Sequence, residues 1–262
     1  MNRLIQLLAD NRQSKARRFE VVAVDGTDEA EVYLYDAIVS DEIEAEWWGG
    51  VAAAPFVKAL RGITASTIHL RVNSPGGSVF AARAIEQALR EHKARVVAHV
   101  DGLAASAASF IIMGADEIVM AKGAMVMIHK GWTFAMGNAD ELRRTVDLLD
   151  KLDGTLVDTY ADRTKQAPEQ IAEWMAAETW FTATEAVEHG FADRLADSAA
   201  DEDEDEDEAE AAAGWNLSAY LQPPKAHARL PESVQAGELA ALTEHRDRQQ
   251  QRMAALLRTP IR

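Results

Sequence analysis

Between Thr67 and His129 the apolar residues change their spacing repeatedly, and that alternation constrains the fold more than any other feature of the chain. Ile68, Leu70 and Val72 alternate with polar residues, the pattern of a strand with one buried face. Asn73-Ser74-Pro75-Gly76-Gly77 ends it, and Ala82, Ile85 and Leu89 follow at helical spacing. Arg95 to Val100 reads as a second strand running into Asp101-Gly102. A helix of small residues is expected from near Ala104 to Met113, then two short strands at Glu117 to Ala121 and Met125 to His129. Strands and helices in this order predict an α/β fold with substantially parallel pairing.

The flanks add to this frame. Glu31 to Ile38 is β-like, Trp47-Trp48-Gly49-Gly50 is a break, and residues 52–61 read as a short helix. A long helix is expected from Asn138, with Glu141 completing a capping box and Leu142, Val146, Leu149, Leu152, Leu156 and Tyr160 forming its apolar stripe. Another starts at Ala167-Pro168, and a third is bracketed by Thr182, Glu185 and Gly190. The expected organisation is a basic lead-in at 1–18, a folded domain at 19–196, an acidic linker at 197–213 and a partly helical tail at 214–262. The linker follows from Asp201 to Glu208, eight successive acids that cannot pack.

Those eight acids carry half of the net charge of −16, so the rest of the chain is acidic too. That balance argues against nonspecific binding to nucleic acid or to an anionic membrane. There is no cysteine, so neither a disulfide nor a thiolate metal site is available. No apolar run is long enough to span a membrane, and Met1 to Arg18 lacks the apolar stretch of a signal peptide. The expected location is the cytoplasm.

Chemistry is expected in three places. Ser106 sits at a strand-to-helix junction within Asp101-Gly102-Leu103-Ala104-Ala105-Ser106-Ala107-Ala108-Ser109. Small neighbours there admit a substrate backbone, and free N–H groups at a helix start suit a nucleophile whose attack creates an oxyanion. Small residues also serve tight helix packing, so this segment alone leaves both readings open. Gly76 and Gly77 can make either a simple turn or a concavity of backbone N–H groups. His129 ends an apolar strand beside a loop, where a base or a merely satisfied histidine could stand. None of the seven histidines has metal-ligand spacing, so no metal and no other cofactor is expected.

Taken in order, Ser74-Pro75-Gly76-Gly77, Gly102-Leu103-Ala104-Ala105-Ser106, Met127-Ile128-His129 and Glu185-Ala186-Val187-Glu188-His189-Gly190 resemble the catalytic subunits of Clp proteases. Trp48-Gly49-Gly50-Val51, the run from Asp101 to Ser109, and Glu178-Thr179-Trp180-Phe181-Thr182 are similar to the Clp-related head maturation (prohead) proteases of tailed phages. The resemblance covers roughly residues 19–196. It implies the spiral of β-β-α units shared by Clp proteases and crotonases, with a helical extension, and a serine endopeptidase assembled as a homo-oligomeric ring. It implies Ser106 as nucleophile, His129 as general base, and Gly77 and Ala107 as oxyanion donors, with the turn around Gly76 and Gly77 holding substrate as an extended strand. Glu178 stands where Clp subunits carry the Asp of the triad. Ser109 is the competing nucleophile, and Lys122 and Lys130 the competing bases of a Ser–Lys pair.

On this reading the substrates are polypeptides, namely capsid or scaffold proteins of an assembling phage head, cut in the bacterial or infected cytoplasm or inside the prohead. The alternatives are a proteolytic subunit fed by an ATPase, a crotonase-like acyl-CoA enzyme that has no need of Ser106 with His129, and a non-catalytic head-assembly component.

Overall fold

The computed structural model describes residues 3–14, 16–24, 26–196 and 214–224. The acid run and the helical tail expected beyond residue 224 lie outside the described residues. The chain begins with α1 (Arg3–Asn11), β1 (Arg18–Ala23), β2 (Glu29–Tyr35), β3 (Ile38–Val39), α2 (Glu42–Trp48), β4 (Val51–Ala52) and α3 (Ala53–Arg61). The centre is β5 (Thr67–Ser74), α4 (Val79–Arg90), β6 (Arg95–Ala105), α5 (Ala107–Ile112), β7 (Glu117–Met120) and β8 (Met125–Ile128). Then follow α6 (Ala139–Thr164), α7 (Pro168–Ala177), β9 (Thr179–Thr182), α8 (Ala183–Glu188) and β10 (Arg194–Leu195).

The main sheet runs β1-β2-β5-β6-β7-β10, with β8 paired to β6 and β9 to β8. Its centre is parallel and only the β1/β2 and β8/β9 pairs are antiparallel, so the expected α/β class holds. β6 decides where the site lies. Val97 to Val100 pair with β7, whereas Leu103 to Ala105 pair with β8. The strand therefore changes neighbour midway, and its end projects beyond β7. The helix expected from Ala104 starts only at Ala107, because Leu103, Ala104 and Ala105 are held in a ladder with Met125, Val126 and Met127. A partner strand 22 residues away in sequence overrides the helical preference of alanine.

One face of the sheet carries the larger core. Ile68, Leu70, Val72, Val96, Ala98 and Val100 are buried with Phe56 of α3, Ile85 and Leu89 of α4 and Phe110 of α5. On the opposite face, Leu7 of α1 and Trp215, Leu217 and Tyr220 close over Leu103, Ala105 and Met127. Asn11 ties α1 to the segment 214–224: its side-chain amide donates to the Asn216 carbonyl at 2.9 Å and its side-chain oxygen accepts from the Asn216 N–H at 2.6 Å. The expected boundaries at 18 and 196 are thus too tight. Residues 3–11 and 214–224 belong to the folded body, and burial of Leu217 alone contributes about 1.5–3 kcal/mol.

The long helix α6 begins where expected, with the Asn138 and Glu141 capping box formed. Only Leu156, Tyr160 and Thr164 of it are buried, while Leu142, Val146 and Leu148 in its first half are exposed.

Candidate active site

Ser106 lies between the end of β6 and the start of α5, with φ 54° and ψ −120°. A positive φ at a residue other than glycine costs about 1–3 kcal/mol and persists only when its surroundings impose it. Here the Ser106 N–H donates to the Met127 carbonyl at 2.8 Å, while α5 follows at once. The kink turns the side chain out of the strand into a cleft. Ser109, one helical turn on, is fully buried: its hydroxyl donates to the Ser106 carbonyl at 2.7 Å and meets the Tyr160 hydroxyl at 2.9 Å. Buried and hydrogen-bonded in this way, Ser109 is placed away from the cleft that Ser106 lines.

His129 directly follows β8, which pairs with the end of β6, so the shared ladder sets its distance from Ser106. Nε2 lies 2.7 Å from the Ser106 hydroxyl oxygen. Lys122 and Lys130 are both exposed, and the partner brought to Ser106 is the histidine. Burial pushes the imidazole down to about 4; the Glu178 charge works against that shift and Arg3 adds to it. The ring is neutral at pH 7, and in its Nδ1-protonated tautomer Nε2 accepts the Ser106 hydroxyl.

The glycines divide their work. The Gly76 N–H is taken by the Ser74 hydroxyl at 3.2 Å and its carbonyl accepts from the Ile38 N–H at 2.8 Å. What Gly76 supplies is closeness: at φ 91°, an added Cβ would stand 2.5 Å from the Ala105 carbonyl and 2.8 Å from the Ser106 Cβ. The oxyanion or substrate contact expected of Gly76 would have to share its N–H with Ser74 or its carbonyl with Ile38. Gly77 is bracketed by hydrogen bonds from Ile38 to Gly76 and from Ser78 to Ile38, which turn its own N–H away from Ile38. Gly77, Ser106, Ala107 and His129 line one cleft. Its walls are Leu4, Val79, Phe110, Trp132, Leu156 and Tyr160, which the sequence marked at most as core positions.

Glu178 departs from expectation. It ends α7 in a left-handed conformation, φ 52°, and is buried. Its two carboxylate oxygens accept the backbone N–H groups of Leu221 at 2.9 Å and Gln222 at 2.6 Å. Among the described residues no hydrogen bond joins Glu178 to His129; its charge reaches the imidazole only through space. The carboxylate expected to orient His129 is thus held by backbone N–H groups of the segment 214–224. Tyr220 of that segment stands edge-on to the His129 ring, with centroids 5.5 Å apart, and its hydroxyl donates to the Pro75 carbonyl. Nothing local in the sequence signals either contact.

This geometry has counterparts. The chain matches the Clp protease family over residues 53–199, a stretch that holds Ser106, His129, Glu178 and the Gly76-Gly77 turn. It is 35% identical over 136 residues to ATP-dependent Clp protease proteolytic subunit 3 of Streptomyces coelicolor, covering 51% of this chain and 63% of that one. It is 31% identical over 132 residues to the ATP-dependent Clp protease proteolytic subunit of Deinococcus radiodurans, covering 50% and 65%. A third relative, proteolytic subunit 2 of Corynebacterium diphtheriae, is 30% identical over 134 residues. The chain spans less than two thirds of the length of the first two. On its matched half, the chain belongs to the Clp protease family.

Proposed function

We propose that the chain is a serine endopeptidase in which Ser106 attacks and His129 moves the proton. The observation that carries this reading is the 2.7 Å contact between Nε2 and the hydroxyl of a serine held at positive φ in an open cleft. His129 takes the Ser106 proton as Oγ bonds to the scissile carbonyl carbon. The N–H groups of Gly77 and Ala107 receive the oxyanion. His129 then protonates the leaving amine as the C–N bond breaks. Water, deprotonated by the same ring, releases the acyl group and restores Ser106. The apolar cleft walls suit an apolar side chain next to the scissile bond, and the Gly77 edge suits an extended backbone. Turnover of unstructured polypeptides, lost in Ser106→Ala, tests the reading; undiminished turnover in that variant would reject it.

The subunit works as a homo-oligomer on this account. Leu142 and Val146, 41% and 55% exposed and one turn apart on α6, form an apolar face that one copy does not cover. Light scattering that finds a strict monomer at tens of micromolar would reject the assembly. The finer reading is maturation of a phage head, cutting capsid or scaffold protein in the cytoplasm or the prohead. It is supported by the Trp48-Gly49-Gly50-Val51 and Asp101-to-Ser109 runs, and by an acid run preceding a mildly basic stretch, a layout suited to a tether. An ATPase-fed role is the second reading, favoured by the names of the relatives. Co-expression with capsid and scaffold proteins of the same locus separates them. Ser106-dependent truncation without an ATPase supports the first, and intact partners support the second.

A further inference from the structure

Tyr220 touches both the His129 ring and the carbonyl before the Gly76-Gly77 turn, yet it lies outside the family match. Its ring meets the His129 ring at an interplanar angle of 85°, an edge-to-face contact that favours one imidazole plane over others. Its hydroxyl donates to the carbonyl of Pro75, the residue before the Gly76-Gly77 turn, and lies beside the Ser106 hydroxyl. The next two residues present the N–H groups that hold Glu178. One short segment thus reaches the base, the nucleophile, the oxyanion turn and the acid.

The segment is anchored independently of the chemistry. Trp215 donates its indole N–H to the Asn73 side chain at 2.9 Å, Leu217 is fully buried, and Asn216 is clamped by Asn11 of α1. No residue of 214–224 is among those lining the cleft, which stays open beside Ser106. The segment therefore stands behind the imidazole and does not plug the site. We propose that Tyr220 is a positioning residue for His129, fixing the plane of the imidazole from its buried side and tying it to the oxyanion turn through Pro75. Because Glu178 is held by Leu221 and Gln222 and no hydrogen bond among the described residues joins it to His129, this contact does the orienting work that a triad carboxylate performs through a hydrogen bond.

The inference rests on the peptidase reading, and its test keeps the two apart. The full chain and its Tyr220→Phe and Tyr220→Ala variants are assayed for peptide turnover across pH, with Ser106→Ala as the blank. Loss of the hydroxyl alone should lower kcat about tenfold, and loss of the ring about a hundredfold, the scale of a base misplaced by roughly 1 Å. KM should stay unchanged, because Tyr220 does not line the cleft. In Tyr220→Ala the acid limb should move up from about 4 toward 6.5 as water reaches the ring, whereas Tyr220→Phe, which keeps the ring over the imidazole, should lower kcat with the limb left in place. A wild-type kcat in Tyr220→Phe, or a rise in kcat in either variant, overturns the positioning role while leaving the peptidase intact. An inert wild-type chain overturns the peptidase reading itself, and the role of Tyr220 with it.

Discussion

The imidazole of His129 has two walls of different origin. On the cleft side stand Ser106, Gly77 and Ala107, all within the stretch matched to the Clp protease family. On the buried side stands Tyr220, braced by Trp215, Leu217 and α1, all outside that stretch. The first wall carries the groups that would bond to a substrate. The second has none in the cleft, yet it covers the base, contributes to the burial that keeps it neutral and claims the carboxylate expected beside it. Reactive groups and their surroundings can thus come from different parts of a chain.

Breaking the cleft wall should have the largest effect. Ser106→Ala and His129→Ala should each lower peptide turnover by at least about 10³-fold, and the double variant should be little worse, since the two act as one unit. Additive losses in steady-state assays would separate the two residues functionally.

Breaking the buried wall should show first in stability. Leu217→Ala removes a side chain with no exposure, and a truncation of that kind costs about 2–5 kcal/mol. Urea unfolding measures it, and a cost under about 0.5 kcal/mol, typical of surface positions, would make the segment a loose flap.

Acid sharpens the comparison, because the folded protein keeps His129 and His99 neutral down to about 4 against an ordinary 6.5. His99 is pushed down by burial first, then by the Arg71 charge. The unfolded chain takes up these protons near 6.5 while the folded chain refuses them until about 4, so stability should fall as pH drops through that window. The active base form survives through the same window, so kcat/KM should hold until the fold or the imidazole gives way. Glu178→Gln should lower the limb further by removing the charge that raises His129, with a kcat loss well short of the ~10⁴-fold expected for a carboxylate bonded to the imidazole. Thermal melts and pH–rate profiles on the same samples test both signs.

The smallest effect belongs to Ser109→Ala, which should cost about 1 kcal/mol for its hydrogen bonds and leave turnover intact.

The two walls were unequally legible in the sequence. His129 could be picked out because it ends a strand whose apolar spacing is local, and Ser106 because the small residues around it advertise close approach, but only the order of the motifs joined the two. The strand reaching Ala105 could not, since it depends on pairing with β8. Nor could the fate of Glu178, because its partners are backbone N–H groups 43 and 44 residues later, and a backbone group leaves no trace in residue type. Trp215, Leu217 and Tyr220 follow an acid run that reads as the end of the folded body. Gly76 and Gly77 are adjacent and alike in sequence; only the hydrogen bonds of Ser74 and Ile38 tell the packing glycine from the one facing the cleft.

The central claim, that Ser106 is a nucleophile activated by His129, is tested most directly by a fluorophosphonate probe followed by peptide mapping. The account predicts a single adduct on Ser106, much slower to form in His129→Ala and absent in Ser106→Ala. An adduct on Ser109, or no adduct on the folded wild-type chain, would contradict it.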